Sequence, residues 1–132
     1  MDPKDLRIGN FLYAERDIVV VVAIDGKEEN EFDVYVGNGH GKVIKVRPSQ
    51  MDIKPIPLSD DFVVQQALFD EFGKMRFAVK GEQYSLRRIN GHVVLFSARN
   101  EPMIHFWEVK YLHRLQNLYY VLAKEELNVK RT

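Results

Sequence analysis

Short runs of β-branched and aromatic residues, each closed by turn-forming residues, recur about every ten positions through the first half of the chain. Positions 11–13 read Phe-Leu-Tyr and positions 18–24 read Ile-Val-Val-Val-Val-Ala-Ile. Phe32, Val34 and Val36 then alternate, and 43–46 return as Val-Ile-Lys-Val. Asp25-Gly26 signals a turn opening a charged loop over 25–31, and Gly37-Asn38-Gly39-His40-Gly41 forms the next loop. Pro48, Pro55 and Pro57 bracket a fifth extended piece over 51–56. It suits an edge or a connection, because proline lacks the N–H that a central strand needs. Strands this short and closely spaced pair with their sequence neighbours, which predicts a small antiparallel SH3-like barrel or curled sheet over residues 6–57.

The periodicity then changes. Ser59 is a good N-cap, Asp60 and Asp61 complement the helix dipole, and the pattern predicts a helix over 60–72 with Gly73 just past its end. A second strand group follows at 76–79, 83–86 and 92–96, with turns at Gly81 and Asn90-Gly91. Residues 104–107 form a short apolar link, 110–126 an amphipathic helix and 128–132 a frayed tail. The fold class is therefore α+β: the curled sheet or barrel, then a helix, a second antiparallel meander and a C-terminal amphipathic helix, packed as one unit. At 132 residues this is the size of a single domain, 6–57 supplying the barrel-like strands and 58–127 the rest.

Composition removes several classes of function. The chain has no cysteine, which excludes disulfides and thiolate metal sites and fits a reducing compartment. Its 19 basic and 19 acidic side chains cancel, so no long-range field steers it to nucleic acid or an anionic membrane. The apolar run over 18–24 is too short to span a bilayer, and the start, Met-Asp-Pro-Lys-Asp, is no signal peptide. The expected location is the cytoplasm.

The last helix carries the least ordinary pattern. At 100° per residue, Tyr111, Leu112, Leu115, Leu118, Tyr119, Leu122 and Ala123 share an apolar sector. The opposite side holds His113, Gln116, Asn117 and Tyr120, polar but uncharged where a solvated face would carry Lys and Glu. Such groups are desolvated at far lower cost than charges, so this face is expected to be covered. Either these four residues make internal hydrogen bonds, or they form a binding surface for a ligand or a second copy.

Other candidates are weaker. The loop from Gly37 to Lys42 has the wrong spacing for a Walker phosphate cradle and no following helix. None of the four histidines, His40, His92, His105 and His113, has helical ligand spacing with another, so no metal is expected. Lys42, Lys45 and Arg47, with Tyr35 or Tyr13 for stacking, give a basic strand face of the kind used by small nucleic-acid-binding barrels. No nucleophile motif is present, and the carboxylate pairs sit at helix ends and in a charged loop. Nothing argues for catalysis or a cofactor.

Three segments together carry a resemblance: Leu6-Arg7-Ile8-Gly9-Asn10, Ile53-Lys54-Pro55-Ile56-Pro57-Leu58, and Tyr111-Leu112-His113-Arg114-Leu115-Gln116-Asn117-Leu118-Tyr119. In this order they resemble a family of small uncharacterised proteins of Bacteroidetes genomes, prophages and phages. The pattern there runs Leu-Arg-Ile-Gly-Asn, Ile-x-Pro-Ile-Pro-Leu-Thr and Tyr-Val-His-Gln-Leu-Gln-Asn-Leu-Tyr. Leu112 and Arg114 depart from it. The resemblance implies a phage or mobile-element setting and transfers no activity. The leading expectation is a non-enzymatic binding or accessory module acting through protein contacts, with an unknown protein partner or by self-association. Two alternatives stand beside it: a nucleic-acid-binding small barrel, and a small-molecule binder sequestering a host defence signal beside the polar helix face.

Overall fold

A computed structural model describes residues 6–14, 17–26, 32–37, 43–46 and 53–130. The protein is α+β, with two antiparallel sheets and two helices among these residues. They group into two units: the described residues up to 56 with 111–117, and residues 57–110 with 118–130.

The first unit is built on strands β1 (Phe11–Ala14), β2 (Asp17–Gly26), β3 (Phe32–Gly37), β4 (Val43–Val46) and β5 (Ile53–Lys54). Their order is β4-β3-β2-β1-β5, a meander whose fifth strand returns beside the first. Of barrel and curled sheet, the described residues form the curled sheet: β4 and β5 are its edges and no pairing between them closes it. β5 pairs Lys54 with Tyr13 and Ile53 with Ala14 before Pro55 ends it, as an edge strand bounded by proline should. The curl has a local cause in β2. Its register on β3 shifts between Val21 and Ala23, and Val22, the inserted residue, is exposed. Such a bulge bends the strand and switches which face each later residue takes. Val19 and Val21 are buried before it, and Ile24 packs on the same core after it. Leu6, Leu12 and Ile53 complete that core. Asp25 and Gly26 are not a turn: they pair with Asp33 and Phe32, so the strand runs through them.

The second unit opens with α1 (Asp60–Gln66), capped as expected by Ser59, whose Oγ accepts from Phe62 N at 3.2 Å. The helix stops six residues earlier than its pattern predicts. Ala67 takes a left-handed conformation (φ 51°) and its N–H closes back on Val63 and Val64. Asp70 then competes for the backbone: its Oδ1 accepts from both Phe72 N and Lys74 N at 2.9 Å. These bonds, that from Lys74 foremost, hold the Asp70 carboxyl below its ordinary range. Gly73 (φ 74°) therefore belongs to this turn rather than to a helix cap.

The turn leads into a sheet of order β6-β7-β8-β9: β6 (Lys74–Val79), β7 (Glu82–Ile89), β8 (His92–Phe96) and β9 (Pro102–Phe106). Lys80-Gly81 and Asn90-Gly91 make the two tight turns, all four residues at positive φ, the two-residue form that matches strand twist. Residues 104–106 of the stretch expected to be an apolar link thus belong to the fourth strand of the sheet, and Trp107 follows it. Met75, Phe77, Leu86, Val93 and Leu95 lie on one face by register and are buried. Phe77 stacks on Tyr84 and meets Tyr119 edge-on at 6.0 Å.

Helix α2 (Leu112–Ala123) is shorter at both ends than expected; residues 112–117 belong to the first unit and 118–123 to the second. The segment after it is not frayed as far as Lys130. The Gln66 carboxamide donates to Lys130 O at 2.7 Å and accepts from Lys130 N at 2.6 Å.

Candidate functional site

In the first unit, the segment 6–10 is folded by one glycine. Asn10 N donates to Arg7 O at 3.0 Å, closing a four-residue turn in which Gly9 has φ 97°, a conformation a β-carbon disfavours. Gly9 N and Asn10 O then bond Val21 O and Val21 N, each at 2.8 Å, which ties the turn to β2. Asn10 is fully buried, and its Oδ1 accepts from Arg7 N at 2.7 Å.

The first half of α2 supplies the remaining partners of this turn. Gln116 Oε1 accepts from Phe11 N at 2.8 Å while its Nε2 donates to Gly9 O at 3.1 Å. Asn117 Oδ1 accepts from Asn10 Nδ2 at 2.8 Å and from Arg7 Nε at 3.1 Å. Leu112 N donates to Ile56 O at 2.8 Å. Thus, of the three segments that carry the resemblance, the helix segment bonds to each of the other two.

Of the four residues singled out on the polar helix face, His113 (3% exposed) and Gln116 (0%) are buried, Asn117 is partly buried, and Tyr120 is exposed. The His113 ring stacks on Tyr111. The covered face therefore extends to His113, Gln116 and Asn117 but not to Tyr120. The amides of Gln116 and Asn117 are taken up by the turn, which makes them organisers of the fold.

Of the basic strand face, Lys42 and Arg47 lie outside the described residues, as does His40. Tyr35 and Lys45 are brought together: they are directly opposite in the β3–β4 register, with Tyr35 partly buried and Lys45 exposed.

A different surface emerges at the β9 edge of the second sheet. No strand among the described residues pairs with its outer side. Met103 and Ile104 are exposed, and Trp107, just after the strand, is 63% exposed. The indole is nonetheless fixed. It lies 3.9 Å from the His92 ring at an interplanar angle of 24°, and 5.2 Å from the His105 ring at 13°. His92 Nε2 and His105 Nδ1 share a hydrogen bond of 3.0 Å. Strand alternation would have placed His92 and His105 on one face had residues 102–106 been read as a strand. Among the described residues no group of three or more metal-ligating side chains gathers, and no helix is long and apolar enough to cross a membrane.

The chain matches no family model, no curated protein and no solved structure.

Proposed function

We propose that this chain is a non-enzymatic binding or accessory module of a phage or mobile element, acting through protein contacts, and that an extended segment of its partner docks on the outer edge of β9. The observation that carries this is the contrast between the two edges of the second sheet. The β6 edge carries Lys74 and Arg76, the charged protection that edge strands ordinarily have. The β9 edge reads Pro-Met-Ile-His-Phe, with neither Lys nor a carboxylate, and exposes Met103 and Ile104. Trp107 beside it is held by two imidazoles, so a partner would meet a pre-positioned aromatic anchor of the type that dominates interface energies. Strand addition gives such contacts their backbone hydrogen bonds, and side-chain pockets give them selectivity. The phage setting rests on the three-segment resemblance alone.

Affinity capture from cells of the source organism, with wild-type bait and a Met103→Lys, Ile104→Lys bait, tests this reading. It predicts a protein held by the wild type, lost from the double variant at unchanged melting temperature, and able once purified to shift Trp107 emission. Trp107 is the only tryptophan of this chain, so a change beyond the partner's own emission that is absent from Trp107→Phe reports on this edge. Equal capture by both baits, no capture, or a captured protein that leaves the emission unmoved overturns the reading.

A second reading, a nucleic-acid-binding sheet, is favoured by the Tyr35–Lys45 cross-strand pair, a stacking ring beside a cation. It predicts salt-sensitive retention on a nucleic-acid column that falls in Lys45→Glu. No retention at low salt removes it.

A further inference from the structure

The face of the second sheet opposite its apolar core carries a cluster of cations. Register places Lys74 directly opposite Arg87, and Arg76 opposite Ser85. Two cations facing each other across strands repel, so the pair has to be held together by something else. Here it is held by Asn100, on the loop between β8 and β9: its Oδ1 accepts from Arg87 Nη2 at 2.6 Å and lies 3.4 Å from Lys74 Nζ. Arg87 also donates to Ser85 Oγ at 3.3 Å and lays its guanidinium 3.9 Å from the Phe96 ring centre. Arg76 has a carboxylate partner in Asp70, and Arg88, elsewhere on β7, has one in Asp60. Among the described residues Lys74 and Arg87 have none. A neutral amide oxygen thus stands between two cations where a carboxylate would balance them.

A cavity of about 300 Å³ is lined by Lys74, Arg76, Gln83, Ser85, Ser97 and Asn100 among others; Arg87 is not in its lining and is linked to it through Asn100 and Ser85. Every one of these six side chains can donate a hydrogen bond, and of the two cations Arg76 is paired with Asp70 while Lys74 has no carboxylate partner among the described residues. Clustered donors with uncompensated positive charge, in a concavity larger than a phosphoryl group, are the requirements for binding an oxyanion.

We propose that Lys74, Arg76 and Asn100, the last held by Arg87, form an oxyanion site that takes a phosphoryl group, with the residual volume admitting part of the ester that bears it. This site is separate from the β9 edge and does not depend on the reading given for that edge. The phosphoryl group has two chemical sources, a small phosphate ester or a nucleic-acid backbone. Calorimetry at fixed ionic strength with inorganic phosphate, adenosine monophosphate, adenosine and a single-stranded oligothymidylate of about ten nucleotides distinguishes them. The wild type is expected to bind at least one phosphate-bearing probe and not adenosine. Asn100→Asp supplies the missing carboxylate from a left-handed backbone position (φ 59°) that Asp tolerates, so it should keep its melting temperature. It is expected to weaken phosphate-bearing probes by about tenfold or more, and Lys74→Ala to weaken them in the same direction. Binding of adenosine monophosphate assigns the small ester, and binding of the oligonucleotide alone assigns the backbone. No binding by any phosphate-bearing probe, equal binding of adenosine, or affinity unchanged in both variants overturns the proposal.

Discussion

Gln116 bonds as a peptide group would. Its carbonyl takes the Phe11 N–H and its NH₂ gives to Gly9 O, so a helix side chain stands in for a missing strand neighbour. Gln66 does the same for Lys130. Gln116→Leu keeps the volume and removes both bonds, taking this partner from two half-buried backbone groups at about 1–2 kcal/mol each. Urea unfolding should show a loss of about 2–4 kcal/mol; a change below about 0.5 kcal/mol would mean that water replaces the amide. The uncharged character of His113, Gln116 and Asn117 made their burial legible in the sequence. Their partners were not legible, because Gln116 and Asn117 bond residues 105 to 110 positions away and helical periodicity says nothing about what covers a face. Tyr120 shows the limit of the same reasoning. It shares the polar arc of the wheel, yet it is exposed where His113, one turn and more earlier, is buried.

Among the elements, those set by local chemistry were the readable ones. The Asn90-Gly91 hairpin and the Ser59 cap fall where turn and capping rules put them. α1 was overestimated because Asp70 draws two backbone N–H groups to its own side chain, a competition that apolar spacing does not register. β9 was missed because an edge strand with little burial lacks the alternation that marks a half-buried one. α2 ends close to a titratable contact. Tyr119 is buried and its hydroxyl donates to Glu125 Oε1 at 3.0 Å; burial first, then that carboxylate, push its pKa up to about 12 from 10.0. The folded state thus holds a proton that the unfolded state releases. The stabilisation is complete below pH 10 and is lost as pH rises towards 12. Denaturant midpoints measured across that window should fall for the wild type and fall less for Tyr119→Phe. Parallel slopes would place the alkaline sensitivity elsewhere.

For the molecule as a whole, the α+β class followed from two changes of hydrophobic period, and both sheets carry it. The grouping of the chain was harder to read, since residues 111–117 belong with the first 56 and residues 118–130 with the central stretch. The terminal segment consequently matters more than its sequence suggests. Removing residues 129–132 takes away Lys130 and leaves the buried Gln66 amide without that backbone partner. The truncated chain should lose about 2 kcal/mol and several degrees of melting temperature, whereas Lys130→Ala, which keeps the backbone, should lose little. Equal losses in the two would assign the effect to the Lys130 side chain. The bonds between Gln116 and the turn at Gly9 have a further consequence during biosynthesis. A nascent chain emerging from the ribosome presents Gly9 and Phe11 about a hundred residues before Gln116 exists, so the turn waits that long for its two bonds to this side chain. Any message cut short before the codon for Gln116 yields a product with that turn unsealed, open to proteolytic quality control.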